Sequence, residues 1–253
     1  MAKTTKELIE DLKDKDVGVR RSAAGELAAR ELQKIKDKSA VPALIEALKD
    51  KDGWVRGEAA QALGNIGDKS AVPALIEALK NEKDPMELGV IALVLGKIKD
   101  KSAVPALIEA LKDKDHSACA AASLGDIGDK SAVPALIKKL KDKDGSGRAE
   151  AARSLGKIKD KSAVPALIEA LKDESWELRA AATTSLGEIK DKSAVKSLTD
   201  AVCIEENKHI RNDMYNALDK ILDTKVPRTL HTMKPKERND WLAKATGKSL
   251  AVV

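Results

Sequence analysis

The string Ser-Ala-Val-Pro-Ala-Leu-Ile begins at Ser39, Ser70, Ser102, Ser131 and Ser162, and a degenerate Ser-Ala-Val-Lys follows at Ser193. The successive intervals are 31, 32, 29, 31 and 31 residues. A period of this length constrains the chain more than its composition does. Each repeat is one supersecondary unit too small to bury its own apolar face, so the face must be covered by the next unit.

Each unit reads as two helices. Val41, Leu44, Ile45 and Leu48 form one apolar stripe at a 3.6-residue period. Asp37 or Ser39 can cap this helix, and Pro42 falls in its first turn, where a missing amide proton costs no helical bond. Lys49-Asp50-Lys51-Asp52 breaks the stripe as a polar turn, with Asp52 as the N-cap of the next helix. That helix carries Val55, Ala59, Ala62, Leu63 and Ile66, and the small Ala59, Ala60 and Gly64 permit close approach to its neighbours. Gly67 suits a left-handed stop. Lys36, Lys99, Lys159 and Lys190 occupy that position in other units, which predicts a different terminating turn there.

The expected fold is therefore all-α, a single solenoid of seven helix pairs and a C-terminal helix. Residues 1–38 form an atypical first repeat, 39–192 five regular repeats, 193–225 a degenerate repeat and 226–253 a basic cap or tail. Composition agrees. Apolar residues make up 43% and aromatic residues 2%, with no Phe and with Trp54, Trp176, Tyr215 and Trp241 as the four rings. Such a core must be aliphatic, which argues against a β-sandwich, and its periodicity argues against disorder. No run approaches 18 apolar residues, and residues 1–6 open no signal peptide. Cys119 and Cys203 are too few for a disulfide frame, so a reducing, cytoplasmic compartment is expected.

The net charge of +5 is local. Residues 225–253 carry seven basic and two acidic side chains, and the first 224 residues carry 39 of each. A duplex-binding protein spreads basic residues along one face. A basic tail reads more simply as a solubilising end.

The string Asp52-x-x-Val55-Arg56-x-x-Ala59-Ala60-x-Ala62-Leu63-Gly64-x-Ile66-Gly67-Asp68, followed by Ala71-Val72-Pro73-Ala74-Leu75-Ile76, resembles the short HEAT-like repeat of the phycobilisome-lyase type. It is also similar to the consensus of artificial alpha-repeat proteins. The resemblance covers about residues 5–225 and implies an Asp/Arg ladder between repeats, in which Asp52, Arg56 and Arg179 are structural. The stretch Asp240–Lys248 resembles endings common in such proteins, with Pro235 near the start and Gly247 past the end of a capping helix.

The first helices are nearly identical, so differences between repeats fall on the second helices. In the family, the outward positions of these helices line the inner surface of the curve. They are Gly53, Trp54, Gly57, Glu58 and Gln61 in the second repeat, then Met86, Val90 and Leu93 in the third. The fifth offers Ser146, Ala149, Glu150 and Arg153, and the sixth Trp176, Glu177, Ala180, Ala181 and Thr184. The seventh offers Lys208, His209, Asn212, Asp213 and Asn216. Trp54 and Trp176 are either partner-facing anchors or covers for the hairpin turns. Met86, Val90 and Leu93 are either an apolar contact surface or core displaced by one inserted residue. The fourth repeat is two residues short, and Gly145 and Gly147 weaken the fifth, which predicts a soft hinge over 115–122 and 145–150.

No catalytic, cofactor-binding or metal-binding set emerges. The pairs His116/Cys119 and Cys203/His209 lie three repeats apart and carry structural or surface roles. No His is followed by Glu, unlike the ligand pairs of HEAT-like di-iron hydroxylases, and the neutral body is unlike the basic groove of HEAT-like DNA glycosylases. The Leu-Gly-x-Ile-Gly-Asp glycines belong to helix ends rather than a phosphate loop, and three scattered histidines make no Ser-His-Asp assembly. The expected role is a non-catalytic scaffold that binds a protein or peptide. Its candidate contacts are Trp54, Glu58, Gln61, Met86, Val90, Leu93, Glu150, Arg153, Trp176, Glu177 and Thr184. Rival expectations are a bilin-lyase type or other enzyme accessory subunit, nucleic-acid binding through residues 226–253, and a designed or recently duplicated scaffold with no evolved partner.

Overall fold

The computed structural model describes residues 3–29, 37–142 and 146–247. These form seven helix pairs and a final helix, as the periodicity predicts. The pairs are α1 (Thr5–Asp11) with α2 (Val17–Ala29), α3 (Val41–Ala47) with α4 (Gly53–Ile66), α5 (Val72–Asn81) with α6 (Pro85–Ile98), and α7 (Val104–Ala110) with α8 (Ser117–Ile127). They continue as α9 (Val133–Leu140) with α10 (Arg148–Ile158), α11 (Val164–Ala170) with α12 (Trp176–Ile189), and α13 (Val195–Ile204) with α14 (Lys208–Leu222); α15 (Pro235–Thr246) ends the array. The chain divides into two compact units, 1–132 and 133–253.

Local chemistry sets each helix boundary. Before α3, Asp37 accepts the Ser39 amide and caps a single 3₁₀ turn, Lys38–Ala40; Val41 and Pro42 then enter the helix. The same Asp-Lys-Ser-Ala turn recurs at Asp68, Asp100, Asp160 and Asp191. Asp52 caps α4 by accepting the Val55 amide, as expected, and Ser175 and Asn207 do the same for α12 and α14.

The expectation about lysine stops needs correction. Lys99, Lys159 and Lys190 adopt φ of 58°, 58° and 57°, the same left-handed cap that Gly67 makes at 71°. Each donates its amide to a carbonyl in the last helical turn, Leu95, Leu155 or Leu186. The bonded turn is retained, and the lysines accept the steric cost of roughly 1–2 kcal/mol that glycine avoids. Lys36 lies outside the described residues.

The core is the aliphatic set the stripes predict. Leu44, Leu75 and Leu107 from first helices, and Leu63, Leu95 and Leu124 from second helices, are wholly buried in unit 1. Leu136, Leu167, Leu198, Leu155, Leu186 and Leu218 repeat the arrangement in unit 2. Second helices pack directly on one another, α2 to α4 to α6 to α8 in unit 1 and α10 to α12 to α14 in unit 2. Missing side chains make this possible. A methyl group on Gly96 would lie 2.7 Å from the Ser123 Cα, and one on Gly156 would lie 2.8 Å from the Ser185 Cα. At each crossing the serine hydroxyl donates to the preceding second helix, Ser123 to the Ala92 carbonyl and Ser185 to the Ala152 carbonyl, both at 2.8 Å.

An arginine ladder ties successive repeats, as the resemblance implies. Arg20 bonds Asp50, Arg56 bonds Glu82, Arg148 bonds Asp173 and Arg179 bonds Glu205. Arg20, Arg56 and Arg179 also donate to carbonyls of the turn that precedes their own helix. Asp52 takes part too, accepting from Arg21 at 2.6 Å while it caps α4. Burial opposes ionisation of Glu82 and Glu205. The guanidiniums and neighbouring backbone amides outweigh it and hold both carboxyls below the usual carboxylate range. Leu88 and Ser117 stand at the corresponding positions of the third and fourth repeats, so among the described residues each unit has two such arginine rungs.

Candidate protein-interaction face

The outward positions of the second helices fall at i, i+4 and i+7, which puts each set on one face of its helix. On α4 these are Trp54, Glu58 and Gln61; on α6, Met86, Val90 and Leu93. Trp54, Met86 and Leu93 are 55%, 73% and 47% exposed, large values for apolar side chains in a folded chain. Val90 and Glu58 are half-buried. Leu93 and Met86 therefore do not belong to the core, and α6 buries Ile91, Val94, Leu95 and Ile98 instead. The inserted residue is absorbed before Asp84, in α5, which at ten residues is longer than the seven of α3 and runs on to Asn81.

The edges of this apolar stripe are polar and tied down. Gln61 donates to the Asn65 side chain, which also accepts from Lys97 at 2.8 Å and donates to the Ala28 carbonyl at 2.7 Å, linking α2, α4 and α6. At the other end the Glu87 side chain lies over Gly53 and Gly57. Its shared bond with Asp84, reinforced by burial, raises the Glu87 carboxyl above its ordinary value. Glu87 escaped the sequence reading because it sits where other repeats place a buried aliphatic residue; the glycines at 53 and 57 were the available signal.

Unit 2 presents a different surface. Trp176, the first residue of α12, is 56% exposed. Around the remaining positions, polar groups pair within their own helix turns. Arg153 bonds Glu150 at 3.0 Å, Ser175 donates to Glu177 at 2.7 Å, and Thr184 donates to the Ala180 carbonyl at 3.1 Å. The structure thus brings Trp54, Glu58, Gln61, Met86, Val90 and Leu93 together on packed helices of one unit. Glu150, Arg153, Trp176, Glu177 and Thr184 lie on packed helices of the other. Trp54 and Trp176 are not equivalent positions, since counting back from Gly64 and Gly187 aligns Trp54 with Glu177.

Much of the basic tail is engaged. Arg228 bonds Asp219 at 2.8 Å and lies over the Tyr215 ring, whose hydroxyl donates to the Arg228 carbonyl. Arg238 of α15 donates to Cys203 Sγ at 2.9 Å. Lys225, Lys234, Lys236 and Lys244 remain exposed. Cys203 and His209 do not form a pair, since Cys203 turns to Arg238 and His209 stands in the exposed first turn of α14. Among the described residues no group of three or more His, Cys, Asp or Glu is placed to hold a metal ion, and no helix is long and apolar enough to cross a membrane.

The family model for HEAT repeats matches residues 5–89, 83–145, 115–174, 133–219 and 164–251, nearly the whole chain. The chain is a HEAT-repeat protein. Among solved structures, this HEAT-repeat protein is similar to a chain from the complex of CpcE and CpcF of phycocyanin lyase from Nostoc sp. PCC7120. The identity is 25%, over 98% of this chain and 95% of that one, with a TM-score of 0.55. It shares its fold with Escherichia coli YibA at 21% identity, 98% and 93% coverage and a TM-score of 0.61. An engineered protein shares the fold at 23% identity, 97% and 72% coverage and a TM-score of 0.56. No curated protein matches the sequence.

Proposed function

We propose that this HEAT-repeat protein is a non-catalytic scaffold that binds a protein or peptide on the face formed by its second helices. One observation carries the reading. Trp54, Met86 and Leu93 stand exposed together on the packed helices α4 and α6, whereas the other exposed large apolar side chains among the described residues, Val17, Trp176 and Ile204, lie on three separate helices. Grouped exposed apolar side chains with a polar rim mark contact surfaces, and Trp is among the commonest energetic anchors.

The packing supports this as the concave side of each unit. Second helices touch at glycine crossings, Gly64 on Val94 between α4 and α6, whereas α3 and α5 leave a groove of about 420 Å³ lined by Ile45, Leu48, Ala74 and Ala78 and by polar groups that include Arg56 and Glu82. A stack that is tight on one side and wedged open on the other curves toward the tight side. The test is affinity capture with the intact chain against Trp54→Ala/Trp176→Ala, followed by titration of the purified captured partner. An unchanged captured set with unchanged affinity would reject these anchors.

A second reading, an enzyme accessory subunit of the bilin-lyase type, is favoured by the near full-length similarity to the phycocyanin lyase complex. Co-expression with a phycobiliprotein subunit separates the two readings, since only the second predicts bilin absorbance on the client.

A further inference from the structure

The third helix pair departs from the template at three positions that fit one another. The third residue of a second helix is Val55 in α4, Leu178 in α12 and Ile210 in α14, all of them buried. In α6 it is Glu87. The preceding helix makes room for this longer, polar side chain. A methyl group on Gly53 of α4 would stand 3.1 Å from Glu87 Oε1, and one on Gly57 would stand 3.6 Å from its Cγ. Where Ile210 takes the slot in unit 2, α12 carries Trp176 and Ala180 at the first and fifth positions, which in α4 are Gly53 and Gly57. The three positions differ together, and the result is a seat for one carboxyl group between two helices.

The seat favours the neutral acid. Asp84, the N-cap of α6, accepts the Met86 amide and shares a hydrogen bond with Glu87. That bond, then burial, raises the Glu87 carboxyl above its ordinary value, and the same bond lowers Asp84. One proton thus bridges two carboxyls. Glu87 Oε2 is buried with no hydrogen-bond partner among the described residues. A neutral carboxyl tolerates that place, whereas a carboxylate there is desolvated and repelled by Asp84 and Glu82.

The other charges around the seat are engaged elsewhere or exposed. Arg56 of α4 is held by Glu82 through Nε and Nη2 and by the Asp50 carbonyl through Nη1. Asp52, before α4, bonds Arg21, and Glu58 reaches toward Gly25 of α2. Glu77 and Lys80 of α5 and Lys83 of the following turn are exposed. On α8, His116 bonds Asp113, and at the far end of α6 Lys97 bonds Asn65.

We propose that Glu87 is a proton-operated latch between α4 and α6. Protonated, it lies on Gly53 and Gly57 and holds the start of α6 against α4. Ionised, it leaves the seat for water, its proton passes to solvent, and the first turn of α6 loosens from α4. Trp54 and Met86 adjoin Gly53 and Glu87 in the chain, so the latch acts on the exposed apolar face of unit 1 and closes as pH falls. Unit 2, with Ile210 in the slot, has no counterpart. The latch does not depend on that face being a contact surface, and its test needs no partner.

The test follows the Glu87 side chain by carboxyl-carbon NMR in the full chain as pH is raised. Amide exchange is measured alongside and expressed as protection factors, which removes the intrinsic pH dependence of exchange. The Glu87 midpoint is expected above the value of about 4.3 for a free glutamate. Protection over residues 85–90 is full below that value and should fall by up to about tenfold per pH unit until the folded midpoint is passed. Protection over 208–213 should stay level. Glu87→Gln, a neutral side chain of the same shape, should keep residues 85–90 protected throughout. Asp84→Asn, still a competent N-cap, should bring the Glu87 midpoint down. A Glu87 midpoint at or below the free value would overturn the proposal. So would a raised midpoint with level protection over 85–90, or a fall in protection that persists in Glu87→Gln.

Discussion

The two units share one scaffold and present different faces. Val-Pro-Ala-Leu-Ile opens α3, α5 and α7 in the first unit and α9 and α11 in the second, and each unit is held by two arginine rungs. Yet α4 and α6 expose Trp54, Met86 and Leu93, while α10 and α12 expose Arg153, Glu177 and Thr184 around Trp176. Buried positions obey the repeat because the neighbouring repeat touches them. Outward positions answer to nothing inside the array, so they are where a binding preference can be written.

Removing a rung should have the largest effect. Arg56→Met in the first unit or Arg179→Met in the second leaves Glu82 or Glu205, with side chains 6% and 5% exposed, without its guanidinium. Each change should cost about 3 kcal/mol in denaturant unfolding. If the units unfold separately, each variant lowers only its own transition; a single shared transition would break the division. The rungs also set an acid response. Both carboxyls titrate below their unfolded value of about 4.3, so their contribution is full above that pH. It is lost as pH falls through the lowered folded value. The variants should therefore show a shallower loss of stability on acidification than the parent.

Overfilling a crossing comes next. Gly96→Ala and Gly156→Ala drive a methyl into the backbone of Ser123 and Ser185, and each should cost about 2 kcal/mol in thermal or denaturant unfolding. On the surface the comparison is sharpest for binding. Trp54→Ala with Met86→Ala should weaken a partner that docks on the first unit by about 2 kcal/mol in titration calorimetry. Folding stability should change by less than about 0.5 kcal/mol. Equal losses of affinity and stability would return these side chains to a packing role. The smallest effect is expected at the left-handed stops, where Lys99→Gly or Lys159→Gly should raise stability by about 0.5 kcal/mol through relief of φ near 58°.

What could be read in advance follows physical lines. Period, pairing and core were legible because the same leucines recur at fixed offsets. The lysine stops were misjudged because a left-handed residue is inferred from glycine, whereas the bond from the Lys99 amide to the Leu95 carbonyl is made by the backbone of any residue. The exposure of Met86 and Leu93 was ambiguous until the inserted residue was seen to lengthen α5. Glu87 was missed because its importance lies in tertiary neighbours, Gly53 and Gly57.

The identical opening of five first helices has a consequence for assembly. Apart from Lys138-Lys139 in α9 and the extra length of α5, little local sequence distinguishes one of these helices from another, so a second helix that forms early meets several near-equivalent docking surfaces. Chain order must do the sorting, and the four-residue turn Lys49–Asp52 enforces it by allowing almost no reach beyond the adjacent partner. Lengthening such a turn would leave every buried contact available and still invite exchange of hairpins, within one molecule or between two.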